Sequence, residues 1–165
     1  GFLQGVITKV VDEIDYDLIN EFVIDKHKVE EFKDNKNRLW IDDSKATNVD
    51  ATINALVPYK ENDIHIILGG DDKGANLLPL FENIKDLKIY VYAIGTNADK
   101  ISDYCNQFNI RVKNCLFLNI AVNQIDKYHT QNSVAILSPA AASLDQFKSY
   151  AHRGNEFKKL VIHLS

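Results

Sequence analysis

Methionine is missing from the chain altogether, tryptophan occurs once, cysteine twice and proline three times. Each scarcity excludes something. Cys105 and Cys115 form neither a CxxC pair nor a cluster with histidine, and they read as inert buried thiols of a reducing cytosol. No apolar run exceeds a few residues, so no membrane-spanning helix is expected. The first residues, GFLQGVITKVVDEID, lack a basic region and a small-residue cleavage site and do not read as a signal peptide. The histidines (His27, His65, His129, His152, His163) show neither HExxH nor paired ligand spacing, so no dedicated metal site is expected. A GxSxG elbow is absent, which disfavours a serine hydrolase of that type. There is no surplus of basic residues: the formal net charge is -4, with a pI near 5.7, so no nucleic-acid footprint is expected. Small anionic ligands stay open, because local sites rather than net charge decide them. The lack of methionine fits a segment excised from a longer polypeptide, or processing ahead of Gly1.

What is present reads as an ordinary globular chain. At 165 residues, 45% apolar and 25% charged, it can bury a real core in one domain. It has no repeat, no low-complexity tract and no Pro/Gly-rich linker. Short β-rich runs alternate with helical patterns, the signature of βαβ units around a parallel sheet. The strand candidates are Val29–Phe32, Arg38–Ile41, Ile64–Leu68, Ile89–Ile94, Cys115–Leu118 and Val134–Leu137. IHIIL, IYVYAI and VAIL are continuously apolar and should be central strands covered on both faces. The first two candidates flank the polar turn KDNKN and should form a hairpin. Helices are expected over 47–57, 74–85, 98–108 and 120–130. Another is expected after Pro139, with Leu144, Phe147 and Tyr150 on one face, and a terminal one carries Phe157, Leu160, Val161 and Leu164. The expected fold class is α/β, a three-layer Rossmann-like domain with a mostly parallel sheet of about six strands and helices on both faces. Residues 1–26 read as helical with no strand partner, an appendage to this domain.

In open α/β sheets ligands bind beyond the carboxyl ends of the strands, and three loops at that rim are chemically loaded. In DDSKATN (42–48), Ser44 or Thr47 could cap the next helix with the acids near its positive end. Capping does not explain Lys45; a lysine among hydroxyls and helix amides is equally a receptor for a carboxylate or phosphate. In LGGDDKGAN (68–76), Gly69 and Gly74 have P-loop spacing, but Ala75 and Asn76 stand where Lys and Ser/Thr belong, so this is no Walker A site. The glycines read as a turn into a helix, which leaves Lys73 without a structural task. In LSPAAASLDQFKSYAHRGNEF (137–157), Ser138-Pro139 reads as a helix start and the alanines allow close approach. Ser143 should then face outward one turn into that helix. Gly154 reads as a helix stop, with Arg153 in the last turn as a structural cation. His65, inside a strand, reads as a satisfied core histidine.

DDSKATN, LGGDDKG and SPAAASLDQF followed by RGNEF, in this order, resemble the C-terminal domain of the Mur ligases, in the branch that adds D-glutamate to the peptidoglycan precursor. The resemblance runs from His27 to the C-terminus, and the pairing of SKATN with SPAAASLDQFKSYAHRGNEF makes it specific. It implies a cytoplasmic ATP-dependent ligase. ATP phosphorylates the terminal carboxylate of UDP-MurNAc-L-alanine, and the amine of D-glutamate attacks the acyl phosphate. It further implies that Thr47, Lys73 and Ser143 hold the carboxylates of D-glutamate, with Leu144 and Tyr150 beside them. Asp43 would take the ATP ribose hydroxyls, and Ser44 and Lys45 would lie next to the phosphates, Lys45 and Lys73 being the catalytic lysines. Residues 27–165 would be the C-terminal domain and 1–26 the tail of the central ATPase domain and its linker. ATP and Mg2+ would be held mainly by that central domain, and the protein would be a monomer with no nucleic-acid or membrane partner. The family pattern His-Arg-x-Glu is here His27-Lys28-Val29-Glu30, so Lys28 would meet the ATP without a bidentate fork. Since no Walker A lysine is present, the chain alone should not catalyse ligation. Two alternatives remain: the C-terminal domain of a folylpolyglutamate synthase, and a free-standing Rossmann-like binding module.

Overall fold

A computed structural model describes residues 25–165; the expected appendage, residues 1–26, lies almost wholly outside the described residues. Six strands form one sheet in the order β1-β2-β6-β3-β4-β5. The strands are β1 (Glu30–Lys33), β2 (Leu39–Asp42), β3 (Asp63–Gly69), β4 (Ile89–Ile94), β5 (Arg111–Leu116) and β6 (Ser133–Leu137). The expected hairpin is there: β1 pairs antiparallel with β2, Phe32 opposite Trp40. All other pairings are parallel. The helices are α1 (Val49–Leu56), α2 (Leu78–Ile84), α3 (Ala98–Gln107), α4 (Leu118–Asp126) and α5 (Tyr150–Ile162).

The core is split by the sheet as the apolar strands require. Ile64, Ile66 and Leu68 pack with Leu56, Leu80, Phe81 and Ile101, so α1, α2 and α3 cover one face. Ile67, Tyr92, Ala135 and Leu137 pack with Leu118, Val122, Phe157 and Val161, so α4 and α5 cover the other. The β6 strand lies between β2 and β3, whose outgoing loops lead to the opposite face from its own. That divergence opens a crevice at the carboxyl rim.

Several expectations are corrected at element ends. Arg111–Leu116 replaces Cys115–Leu118 as a strand, because RVKNCL lies at the sheet edge with only Cys115 buried and carries no continuous apolar run, while the run CLFL crosses into α4. The first strand starts at Glu30; Val29 has a positive φ of 47° and cannot extend it. Asn48, not Ser44 or Thr47, caps α1, its side chain accepting from the Ala51 amide at 2.9 Å. No helix follows Pro139: residues 138–149 form an irregular loop in which Leu144 is 67% exposed. Gly154 does not stop a helix but sits inside α5, which starts at a Ser149 cap. The terminal amphipathic pattern holds, with Phe157 and Val161 buried and Leu160 and Leu164 packed beside them. Both cysteines are buried and their thiols pushed up, Cys105 to about 12 and Cys115 to about 11, as inert thiols should be.

Candidate functional site

The three loaded loops are sewn together by backbone hydrogen bonds at the rim. The Asp43 amide donates to the Leu137 carbonyl at 2.8 Å, and the Ala140 amide donates to the Ala46 carbonyl at 3.0 Å. Gly69 N–H donates to the Pro139 carbonyl at 2.9 Å, while Asp71 and Ala142 exchange two bonds as an isolated antiparallel bridge. Glycine is needed where these backbones meet. A Cβ on Gly70, at φ 146°, would lie 2.4 Å from the Ala142 carbonyl oxygen, and one on Gly95, at φ 79°, would lie 2.5 Å from Gly70 Cα.

A groove of about 470 Å³ opens beside the first loop, lined by Lys28, Val29, Asp43, Lys45, Ala46, Ala51, Asn54 and Ala55. Two lysines and three alanines are among its lining residues, a set that suits an anionic ligand with an apolar part. The Asp43 carboxylate is 3% exposed; Oδ1 accepts from the Val29 amide at 3.0 Å and Oδ2 from the Ser138 hydroxyl at 2.6 Å. Burial raises its pKa above the usual carboxylate range, only partly offset by those two bonds. Lys45 is exposed at the mouth of the groove, where Asp25 lies 3.1 Å from its ammonium and raises its pKa.

Of the four residues expected at a nucleotide, Lys28, Asp43 and Lys45 thus share one groove, and Ser44 does not. Its side chain is fully buried, donating to the Tyr150 carbonyl at 2.7 Å and accepting from Arg153 Nε at 2.8 Å. Thr47 is exposed ahead of α1. Lys73 is exposed at φ 54° in a tight turn held by Asp71 and Asp72, whose carboxylates accept from the Lys73 and Gly74 amides. Ser143 is 4% exposed and lies in the loop rather than on a helix, so it does not face outward as expected. The Asp71–Ala142 bridge brings the Lys73 turn and Ser143 side by side. Leu144 and Tyr150 are exposed on the same loop and at the start of α5.

Sequence reasoning missed two features. Arg153 is 1% exposed in the first turn of α5, not the last, and its side-chain hydrogen bonds go to Ser44 and Ala141 of the loaded loops. His27, Glu30 and Asp42 form the one cluster with metal-like spacing among the described residues. Lys158 lies 2.7 Å from Glu30 and 3.8 Å from Asp42, and the His27 ring is 2.6 Å from Asp42. A resident ammonium fills that cluster, so it is an ion-pair network, and no sequence spacing foretells it because its members lie ahead of β1, on β1, on β2 and on α5.

No protein-family model matches the chain. Among curated proteins it is similar to UDP-N-acetylmuramoylalanine–D-glutamate ligases. It is 49% identical over 152 residues to that of Campylobacter jejuni (strain 81-176), covering 92% of this chain and 38% of the relative. It is 54% identical over 144 residues to that of Helicobacter pylori (strain J99), covering 87% of this chain and 34% of the relative. The chain therefore spans little more than a third of the length of these relatives. Two solved structures from Thermotoga maritima share the fold. They are a folylpolyglutamate synthase (TM-score 0.56, 13% identity, 82% of this chain and 30% of that one) and the UDP-N-acetylmuramate–alanine ligase MurC (TM-score 0.54, 17% identity, 81% and 29%). By sequence the chain is a homologue of the C-terminal part of the D-glutamate-adding Mur ligases.

Proposed function

We propose that this homologue of a Mur ligase C-terminal part serves as the amino-acid-binding domain of an ATP-dependent ligase joining D-glutamate to UDP-N-acetylmuramoyl-L-alanine. The observation that carries the reading is the joining of three polar loops on one rim, in a chain 49% identical over 152 residues to a D-glutamate ligase. The domain would span 27–165, following the tail of a central ATPase domain, and the whole enzyme would work in the cytoplasm as a monomer.

The substrate chemistry assigns the parts. Once the alanyl carboxylate is activated as an acyl phosphate, the amine nitrogen of D-glutamate attacks its carbonyl carbon; the tetrahedral intermediate collapses, expelling phosphate and leaving an amide. This needs D-glutamate held by its two carboxylates so that the amine points at the carbonyl. Lys73, the hydroxyl of Ser143 and the exposed hydroxyl of Thr47 are the donors for those carboxylates, with Leu144 and Tyr150 packing against the carbon chain. The ammonium of Lys73 also stabilises negative charge near the reacting centre, as does that of Lys45. In the adjoining groove Lys28 and Lys45 offer cations to phosphates, and Asp43 offers carboxylate lone pairs to ribose hydroxyls. Ser44 contributes by setting the loop that carries its neighbours. The groove's cations and apolar lining fit ATP; the described residues offer no open carboxylate cluster for Mg2+, which falls to the rest of the enzyme.

In the full-length enzyme, Lys73→Ala should raise KM for D-glutamate about tenfold or more, the loss of a hydrogen bond to a charged group, and leave KM for ATP unchanged. An unchanged KM for D-glutamate would overturn the assignment.

A further inference from the structure

The guanidinium of Arg153 lies where all three rim loops meet. Its Nε donates to Ser44 Oγ at 2.8 Å and an Nη2 hydrogen to the Ser44 carbonyl at 2.6 Å. Its Nη1 donates to the Ala141 carbonyl at 3.1 Å and would stand 3.4 Å from a Cβ on Gly70, the first residue of the third loop. Ser44 sits between Asp43 and Lys45 of the nucleotide groove; Ala141 lies two residues before Ser143; Gly70 leads into the Lys73 turn. No carboxylate forms an ion pair with Arg153 among the described residues. A buried cation among neutral acceptors is costly, and packing alone would be served better by an apolar side chain. What no apolar residue supplies is a rigid planar fork that binds two separate loops at once.

We propose that Arg153 is a positioning residue that locks the nucleotide-side loop 43–46 to the amino-acid-side loop 141–143, so that the two substrate sites are held in one register and respond together. The residue touches neither substrate. Its effect passes through Ser44 to Asp43 and Lys45, and through Ala141 to Ser143. Lysine in its place keeps the charge but loses the fork, and can hold one loop or the other. This inference rests on the reading of the rim as the meeting point of nucleotide and D-glutamate.

The test uses Arg153→Lys in the full-length enzyme, with amide hydrogen exchange and steady-state kinetics. Exchange should quicken at 44–46 and 141–143 together, and KM for ATP and for D-glutamate should rise together, each on the order of tenfold, a usual size for coupling between sites. A purely structural arginine would lower the melting temperature and leave both KM values within about twofold, and that result overturns the proposal. So does a rise in one KM alone. The milder Ser44→Ala variant, which removes the Nε acceptor together with the hydroxyl's bond to the Tyr150 carbonyl and keeps the Nη2 and Nη1 bonds, should move both constants in the same direction by less; it carries the test where the lysine variant does not fold. Joint loosening of the loops in an enzyme that does not use D-glutamate would instead leave the lock standing and sink the functional reading.

Discussion

Asp43 keeps a carboxylate in a place where burial opposes its charge. Its folded pKa is raised, so above that value the ionised form is less favourable in the folded protein than in the unfolded chain. Its contribution to stability is therefore best below the ordinary carboxylate pKa of about 3.9 and declines as pH rises through the folded value. Ionised, the residue contributes less to stability than it does protonated, which is the expected signature of a group kept for what it binds. Asparagine is nearly isosteric: its oxygen can still accept from the Val29 amide, and Ser138 Oγ can turn its proton to Thr52 Oγ1, 3.0 Å away. Asp43→Asn should leave the thermal midpoint unchanged or higher where Asp43 is ionised, flatten its decline as pH rises above the ordinary carboxylate pKa of about 3.9, and raise KM for ATP. A lower midpoint with an unchanged KM would mean that Asp43 is a strap for Val29 and nothing more. At this scale the pairing of Asp43 with Lys45 was legible, because both stand on one short loop; Lys28 reaches the same groove from the segment ahead of β1, and only the family resemblance pointed to it. Ser44 was not legible, because its hydroxyl is claimed by Tyr150 and Arg153, 106 and 109 residues further on.

Helix α5 shows how tertiary contact overrides an element's own chemistry. Gly154 lies in its second turn, a position where alanine normally stabilises a helix by about 0.5–1 kcal/mol. Here a Cβ would meet His27 Nδ1 at 2.2 Å and Asp42 Oδ2 at 2.8 Å, so the helix needs glycine to approach β2 and the strap ahead of β1. Gly154→Ala should reverse the usual sign and destabilise by about 1–3 kcal/mol, the range for overpacking, as read from the urea midpoint. A midpoint raised by the alanine would show that His27 moves aside freely. The same contact explains why RGNEF reads as a helix stop in sequence: glycine near a patterned run is usually a cap, and only the fold reveals the close approach. The central strands were legible because both faces are buried, so Ile66, Ile67 and Leu68 leave no doubt about their state. The edge strand β5 was misplaced because its outer residues answer to solvent. The loop after β6 was misread because Ser138, Pro139 and three alanines favour a helix locally, while bonds to Asp43, Ala46 and Asp71 hold the backbone open.

At the scale of the whole molecule, the proposed function makes the rim one half of a reaction centre. It offers ammonium groups and hydroxyls for a dicarboxylate, and a groove with two lysines for an anion, but the chain contains no GxxxxGK[ST] loop to hold phosphates in line for transfer. Its one glycine loop of that spacing ends in Ala75-Asn76, and the Lys73 within it points from an exposed left-handed turn. Phosphoryl transfer depends almost wholly on positioning and charge stabilisation, and on the proposed function that machinery would lie in the part of the relatives' length that this chain does not cover. The 165-residue chain by itself should thus release no phosphate from ATP above background when given UDP-N-acetylmuramoyl-L-alanine and D-glutamate. The same sequence within the full-length enzyme should do so in proportion to D-glutamate. Substrate-dependent phosphate release by the chain alone would place the phosphoryl-transfer groups on this rim and refute the division of labour.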